Sequence, residues 1–245
     1  MLSDRQVIEV FHLHFVRLLC SGPDKDRFAI KGGCNLRFFF ESVRYSEDID
    51  LDVARMQVHA LKEKVSRILT GPALFLPLKS RGIAVGEVSA PKQTETTQRW
   101  KVGLSAEGRS LPLHTKIEFS RRKTTEEAKV EPVAASVLAD YQLMPLLAPH
   151  YPLGAALRQK ISALVGRSAV QARDVFDLGV LFANAGGKRG CAAGCTRRDP
   201  ESDRTGDGGF LRRLQVPGGV VPQARATSMA PAQRGTRCRP SSSRC

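Results

Sequence analysis

Apolar side chains at Val7, Ile8, Val10, Phe11, Phe15, Leu18 and Leu19 recur with a helical period and predict a helix over residues 6–19. Ser21-Gly22-Pro23-Asp24 ends it. Phe28-Ala29-Ile30 reads as a short extended piece running into Gly32-Gly33, and residues 34–41 read as a short helix. Over residues 48–53 the period drops to two, with Asp48, Asp50 and Asp52 alternating with Ile49, Leu51 and Val53. Side chains on a strand alternate faces, so the three acids share one face while the aliphatics enter a core. A helical stretch near 56–69 follows, which Gly71-Pro72 stops. Strands are predicted at 82–89, 97–104 and 112–119, with alternation clearest in Leu113–Phe119. Residues 121–129 form a charged loop or linker. The helical period returns from residue 153, first through Leu153, Leu157, Ile161 and Leu164, then through Val175, Phe176, Leu178, Val180 and Leu181.

After about residue 185 no apolar period survives. Residues 186–245 hold ten of the 21 glycines and carry 12 Lys and Arg against 4 Asp and Glu. A segment of that kind cannot bury enough apolar surface to offset chain entropy and is expected to be disordered. Out-of-frame translation of a GC-rich gene yields the same composition; a basic nucleic-acid-binding arm is the alternative, without an aromatic stacking pattern behind it. The formal charge of +14 therefore sits mostly in this tail, and the patterned part is only moderately basic. Cys191 and Cys195 lack a second Cys or His pair at zinc-site spacing. The chain has no apolar run of the ~20 residues that a membrane span needs, and its N-terminus lacks a signal-peptide layout. A cytoplasmic protein without a membrane partner is expected.

The chemistry concentrates at the alternating acids. Carboxylates aligned on one face repel unless a cation neutralises them, and hard oxygen donors suit Mg²⁺. A glycine pair upstream lets a phosphate approach the backbone closely. Two carboxylates at i and i+2, joined by one from a neighbouring strand, can hold metal ions that polarise a reacting phosphate. Asp48, Asp50 and Glu118 fit those roles, Glu118 being the single carboxylate in Lys116-Ile117-Glu118-Phe119. These features suggest a metal-dependent site for a nucleoside triphosphate. The bland alternative is the solvated face of an amphipathic edge strand, which does not require Gly32-Gly33 or Ser46. The five histidines offer no rival: His12 and His14 sit two apart on a helix, and His59, His114 and His150 stand alone. Cys34 reads as a small buried residue rather than a nucleophile. There is no Gly-x-Ser-x-Gly and no Walker-type motif, so hydrolase and conventional ATPase readings lack support.

Gly32-Gly33, Leu36-Arg37, Arg44, Ser46 and the Asp48/Asp50 pair resemble the opening motif of the AbiEii/AbiGii-type nucleotidyltransferase toxins, a group within the DNA-polymerase-β-like nucleotidyltransferase superfamily. Lys160-Ile161-Ser162-Ala163-Leu164 with Arg167, then Arg173-Asp174-Val175-Phe176-Asp177-Leu178, resemble the later helical motifs of the same family. The resemblance covers roughly residues 28–53 and 155–182. It implies that Asp48 and Asp50 bind metal, that Gly32, Gly33 and Ser46 lie near the triphosphate, that Lys160 contacts phosphates, and that Asp174 completes the site. Asp52 is then a flank, and Asp177 a cap or an ion-pair partner within its helix pair. Arg173 and Asp174 could also form a structural ion pair.

The expected fold class is α+β, a nucleotidyltransferase-like mixed β-sheet flanked by helices, followed by a helical C-terminal region and a disordered tail. Residues 1–125 form the core, 126–185 the helical region that completes the site, and 186–245 the tail. The expected activity is Mg²⁺-dependent transfer of a nucleoside monophosphate from an NTP to an acceptor hydroxyl. The resemblance implies an RNA acceptor such as tRNA, a cognate antitoxin, and a toxin of a toxin–antitoxin or abortive-infection (phage-defence) system. The alternative is a non-catalytic nucleotide- or antitoxin-binding remnant of such a protein.

Overall fold

A computed structural model of the chain describes residues 1–121 and 126–187. The expectations for the tail, including its disorder, its frame and its cysteines, lie outside the described residues. Helix α1 (Asp4–Leu19) starts at a capping box: the Gln6 amide donates to Ser3 Oγ, and the Ser3 amide donates to Gln6 Oε1 at 2.8 Å. It is buried almost all round, so the polar residues on it need partners. Glu9 accepts from Arg37 at 2.8 and 3.1 Å and from the Tyr141 hydroxyl at 2.6 Å.

Strand β1 (Phe28–Lys31) runs into α2 (Gly32–Phe39), and β2 (Ile49–Val53) follows with every second residue buried, as its alternation requires. Helix α3 (Val58–Thr70) buries Leu61, Val65 and Leu69, one stripe at four-residue spacing. Pro72, expected as a stop, also opens a further helix, α4 (Pro72–Lys79), since a proline at the first helical position has no hydrogen bond to lose. The three predicted strands are present: β3 (Ile83–Gln93) and β4 (Thr97–Ala106) are longer than their patterns, and β5 (Leu113–Ser120) is shifted by one residue at the same length.

Three elements carry no periodic signal: β6 (Lys129–Pro132), α5 (Ala135–Ala139) and β7 (Leu147–His150). β6 is an exposed edge strand and β7 contains Pro149, so neither shows buried alternation. Helices α6 (Leu153–Val165) and α7 (Ala172–Gly187) follow.

The seven strands form one mixed sheet in the order β3-β4-β5-β2-β1-β7-β6. β2 lies parallel to β5 and antiparallel to β1, with Asp50 opposite Glu118 on one side and Lys31 on the other. The expected boundary at residue 125 falls between β5 and β6 of this sheet. The core packs α1, α3 and α4 against it around Phe11, Phe15, Trp100 and Phe119. A smaller cluster of Leu36, Phe40, Ala156 and Leu181 seats α6 and α7 on α2.

Candidate active site

The face of β2 opposite the core opens into a cleft of about 990 Å³. Gly32, Gly33, Ser46, Asp48, Asp50, Lys160 and Asp174 all line it. The two glycines are required by local geometry as well as by any ligand. Gly32 has φ +66°, and a Cβ there would lie 3.0 Å from Asp50 Oδ2. A Cβ on Gly33 would stand 2.6 Å from Ser46 Oγ. No side chain caps the N-terminus of α2, so its first amides remain available to an anion beside the acids. Leu36 and Arg37 of the same sequence stretch turn inward, Leu36 into the small cluster and Arg37 onto Glu9.

The three acids of the strand face are treated unequally. Lys116 Nζ on β5 lies 2.7 Å from Asp48 Oδ2. Asp52 also lines the cleft, but Lys31 at 2.5 Å engages one of its oxygens and the Tyr151 hydroxyl at 2.7 Å the other. Asp50, between them, accepts no side-chain hydrogen bond among the described residues. Burial raises its carboxyl above the ordinary aspartate value, Glu118 and Asp48 add to the rise, and Lys116 and Lys31 oppose it. Its charge is therefore the least compensated in the row.

Among the described residues no three His, Cys, Asp or Glu side chains converge into a ready-made metal cage. Glu118 stands beside Asp50 in the ladder, but Arg99 holds its carboxylate at 2.7 Å, and it does not line the cleft. Two adjacent carboxylates still fit Mg²⁺, which keeps several waters and is usually bound through one or two carboxylates plus substrate phosphates.

The far wall comes from α6 and α7, and its pairing differs from the sequence reading. Asp174 is buried and held by Arg167 at 2.5 Å, with the Gln171 amide donating at 3.4 Å; Arg173 is not its partner. Lys160 is bound to Asp177. Asp177 is fully buried and also receives Arg44, through Nε at 3.0 Å and through Nη2 at 2.9 Å to each oxygen. One carboxylate thus joins the loop before β2, α6 and α7. Sequence reasoning left Asp177 within its helix pair and gave Arg44 no role of its own; their presence in the two separate motifs was the available signal. Lys116 was also missed, because a lysine on a strand reads as solvated.

A strand-borne acid pair beside an uncapped helix start, on a mixed sheet backed by helices, defines an α+β fold of the nucleotidyltransferase type, and solved structures share it. JHP933 from Helicobacter pylori matches with a TM-score of 0.53 and 20% identity, over 74% of this chain and 67% of that one. MenT4, a nucleotidyltransferase toxin of Mycobacterium tuberculosis H37Rv, matches with a TM-score of 0.57 and 20% identity, over 74% of this chain and 59% of its own. No curated protein matches the sequence. The family described as nucleotidyl transferase AbiEii toxin, type IV toxin–antitoxin system, matches residues 16–211, and the chain belongs to that family. Membership makes it a nucleotidyltransferase of a toxin–antitoxin system, with a nucleotide substrate and an antitoxin partner. No helix among the described residues is long and apolar enough to cross a membrane.

Proposed function

We propose that the protein transfers a nucleoside monophosphate from an NTP to a hydroxyl of an RNA, with tRNA as the acceptor class, in a Mg²⁺-dependent reaction. The observation that carries this reading is the placement of Asp48 and Asp50 next to the N-terminus of α2, with Lys160 and Asp174 in the same cleft. Asp48 and Asp50 hold the metal, which supplies charge neutralisation at the reacting phosphate. Glu118 is a reserve ligand that must first leave Arg99, so Glu118→Gln costs less activity than either aspartate change. The amides of Gly32 and Gly33 receive the triphosphate, with Ser46 beside them. Lys160 faces its charge, positioned by Asp177, and Asp174 braces Arg167 on the same wall. In-line attack by the acceptor oxygen on the α-phosphorus forms the new P–O bond, breaks the bond to the β-phosphate and releases pyrophosphate, while the hydroxyl proton is lost to solvent. The chain supplies position and charge rather than a covalent intermediate.

Membership of a type IV toxin family supports a role in growth arrest, held in check by the antitoxin, and in phage defence inside the cytoplasm. Labelled-NTP incorporation into a total RNA pool tests the reading. Asp48→Ala is expected to stay folded and to lose at least roughly 10²–10³-fold in rate. Chelation of divalent metal abolishes incorporation by the wild-type chain. Undiminished incorporation by Asp48→Ala removes the metal role, and nucleotide binding without incorporation into any RNA favours the non-catalytic remnant.

A further inference from the structure

Asp48 lies one residue ahead of β2, whose ladder to β5 begins at the Ile49–Ile117 pair. Glu47 and Asp48 precede the paired residues of β2, and side chains hold their carbonyls. The Thr115 hydroxyl donates to the Glu47 carbonyl at 2.7 Å, and His12 Nε2 lies 2.7 Å from the same hydroxyl oxygen. The Thr115 proton goes to the carbonyl, so the imidazole supplies the proton of the second bond and carries it on Nε2. Burial lowers the His12 pKa to about 4, which keeps the ring neutral in that role. Alongside, Ser46 Oγ at 2.7 Å and Cys34 Sγ at 3.4 Å donate to the Asp48 carbonyl, and His12 Nδ1 lies 3.8 Å from that sulfur. His12, Cys34 and Thr115 are buried beneath the turn and do not line the cleft.

We propose that His12 and Thr115 are positioning residues for the metal-binding carboxylate: their relay pins the Glu47–Asp48 turn and so fixes Asp48 relative to Asp50. The proposal rests on the reading of Asp48 and Asp50 as metal ligands. Without the relay the Glu47 carbonyl loses its donor, and the turn is held less firmly against the pull of Lys116, whose ammonium already holds Asp48 from the cleft side. Binding a cation must then also order the turn.

The test uses the full chain and Mn²⁺ alone, with free Mn²⁺ read by electron paramagnetic resonance and Asp48→Ala as the baseline for non-specific binding. Thr115→Val and His12→Leu are each expected to weaken Mn²⁺ binding roughly five- to tenfold, the worth of one hydrogen bond, and to do no worse together. Thr115→Ser keeps the hydroxyl and the wild-type affinity. His12→Gln keeps a donor in place of Nε2, so it lowers the melting midpoint through lost ring packing yet retains affinity within about twofold. Packing and positioning part company in that variant. The proposal is overturned if Thr115→Val or His12→Leu, whichever folds, binds Mn²⁺ within about twofold of wild type. It is equally overturned if His12→Gln binds as weakly as His12→Leu, or tenfold more weakly than wild type where neither larger change folds. Wild-type binding no tighter than that of Asp48→Ala is a different failure: it removes the metal reading of the pair, and the positioning role with it.

Discussion

Burial raises the Asp50 carboxyl above its ordinary value, and the lysines on either side offset only part of that. The fold therefore disfavours its charged form. Relative to an unfolded chain with the ordinary value of 3.8, there is no penalty at pH below that value. The penalty grows as pH rises through the raised folded value and is complete above it. Asp50→Asn should accordingly raise the melting midpoint of the metal-free protein at neutral pH, and the gain should shrink toward zero as pH falls to the ordinary aspartate range. The same variant should lose NTP incorporation. Equal midpoints at neutral pH would show that the carboxylate is at ease without a cation. Asp52 gives the contrast: bound by Lys31 and Tyr151, it has no need of an external cation.

At the scale of elements, Asp177 is the joint between the sheet and the two C-terminal helices. Its carboxylate meets Arg44 and Lys160 with no access to water. Removing one partner of a buried pair leaves the remaining charges uncompensated, at a cost of about 3 kcal/mol. Asp177→Asn should show that loss in a denaturant titration, together with a raised KM for NTP as Lys160 and Arg44 lose their anchor; an unchanged denaturation midpoint would count against the joint. How much of this was legible in sequence follows from periodicity. The acid strand, α1 and the three strands β3 to β5 announce themselves because each has one face in the core. The edge strand β6 and proline-bearing β7 do not, and α4 was hidden by a proline that can begin a helix as well as end one. Of the residues singled out in the sequence, Gly32, Gly33, Ser46, Asp48, Asp50, Lys160 and Asp174 line one cleft and Glu118 does not. The pairing within the cleft was not legible. Arg44 reaches Asp177 across 133 residues and Lys116 reaches Asp48 across 68, and such contacts follow from tertiary packing rather than local spacing.

For the whole molecule, charge and site are unevenly distributed along the chain. Among the described residues, every one lining the cleft falls between Arg5 and Asp177. The family match ends at Leu211, and residues 212–245 carry seven Arg and no Asp or Glu, half of the net +14. Ending the chain after Leu211 should leave Mn²⁺ and NTP binding unchanged, because every described cleft residue is kept. RNA association depends on a different sum. Each phosphate neutralised on a single strand adds about 0.7 to the slope of log affinity against log salt, so seven arginines fully engaged would account for a slope of up to about 5. The shortened chain should therefore bind an RNA pool more weakly at low salt and with a flatter salt dependence, while titrations of the two chains converge as screening grows. An unchanged slope would assign the RNA contacts to the cleft wall instead, where Arg158, Arg167 and Arg173 stand beside the reacting groups.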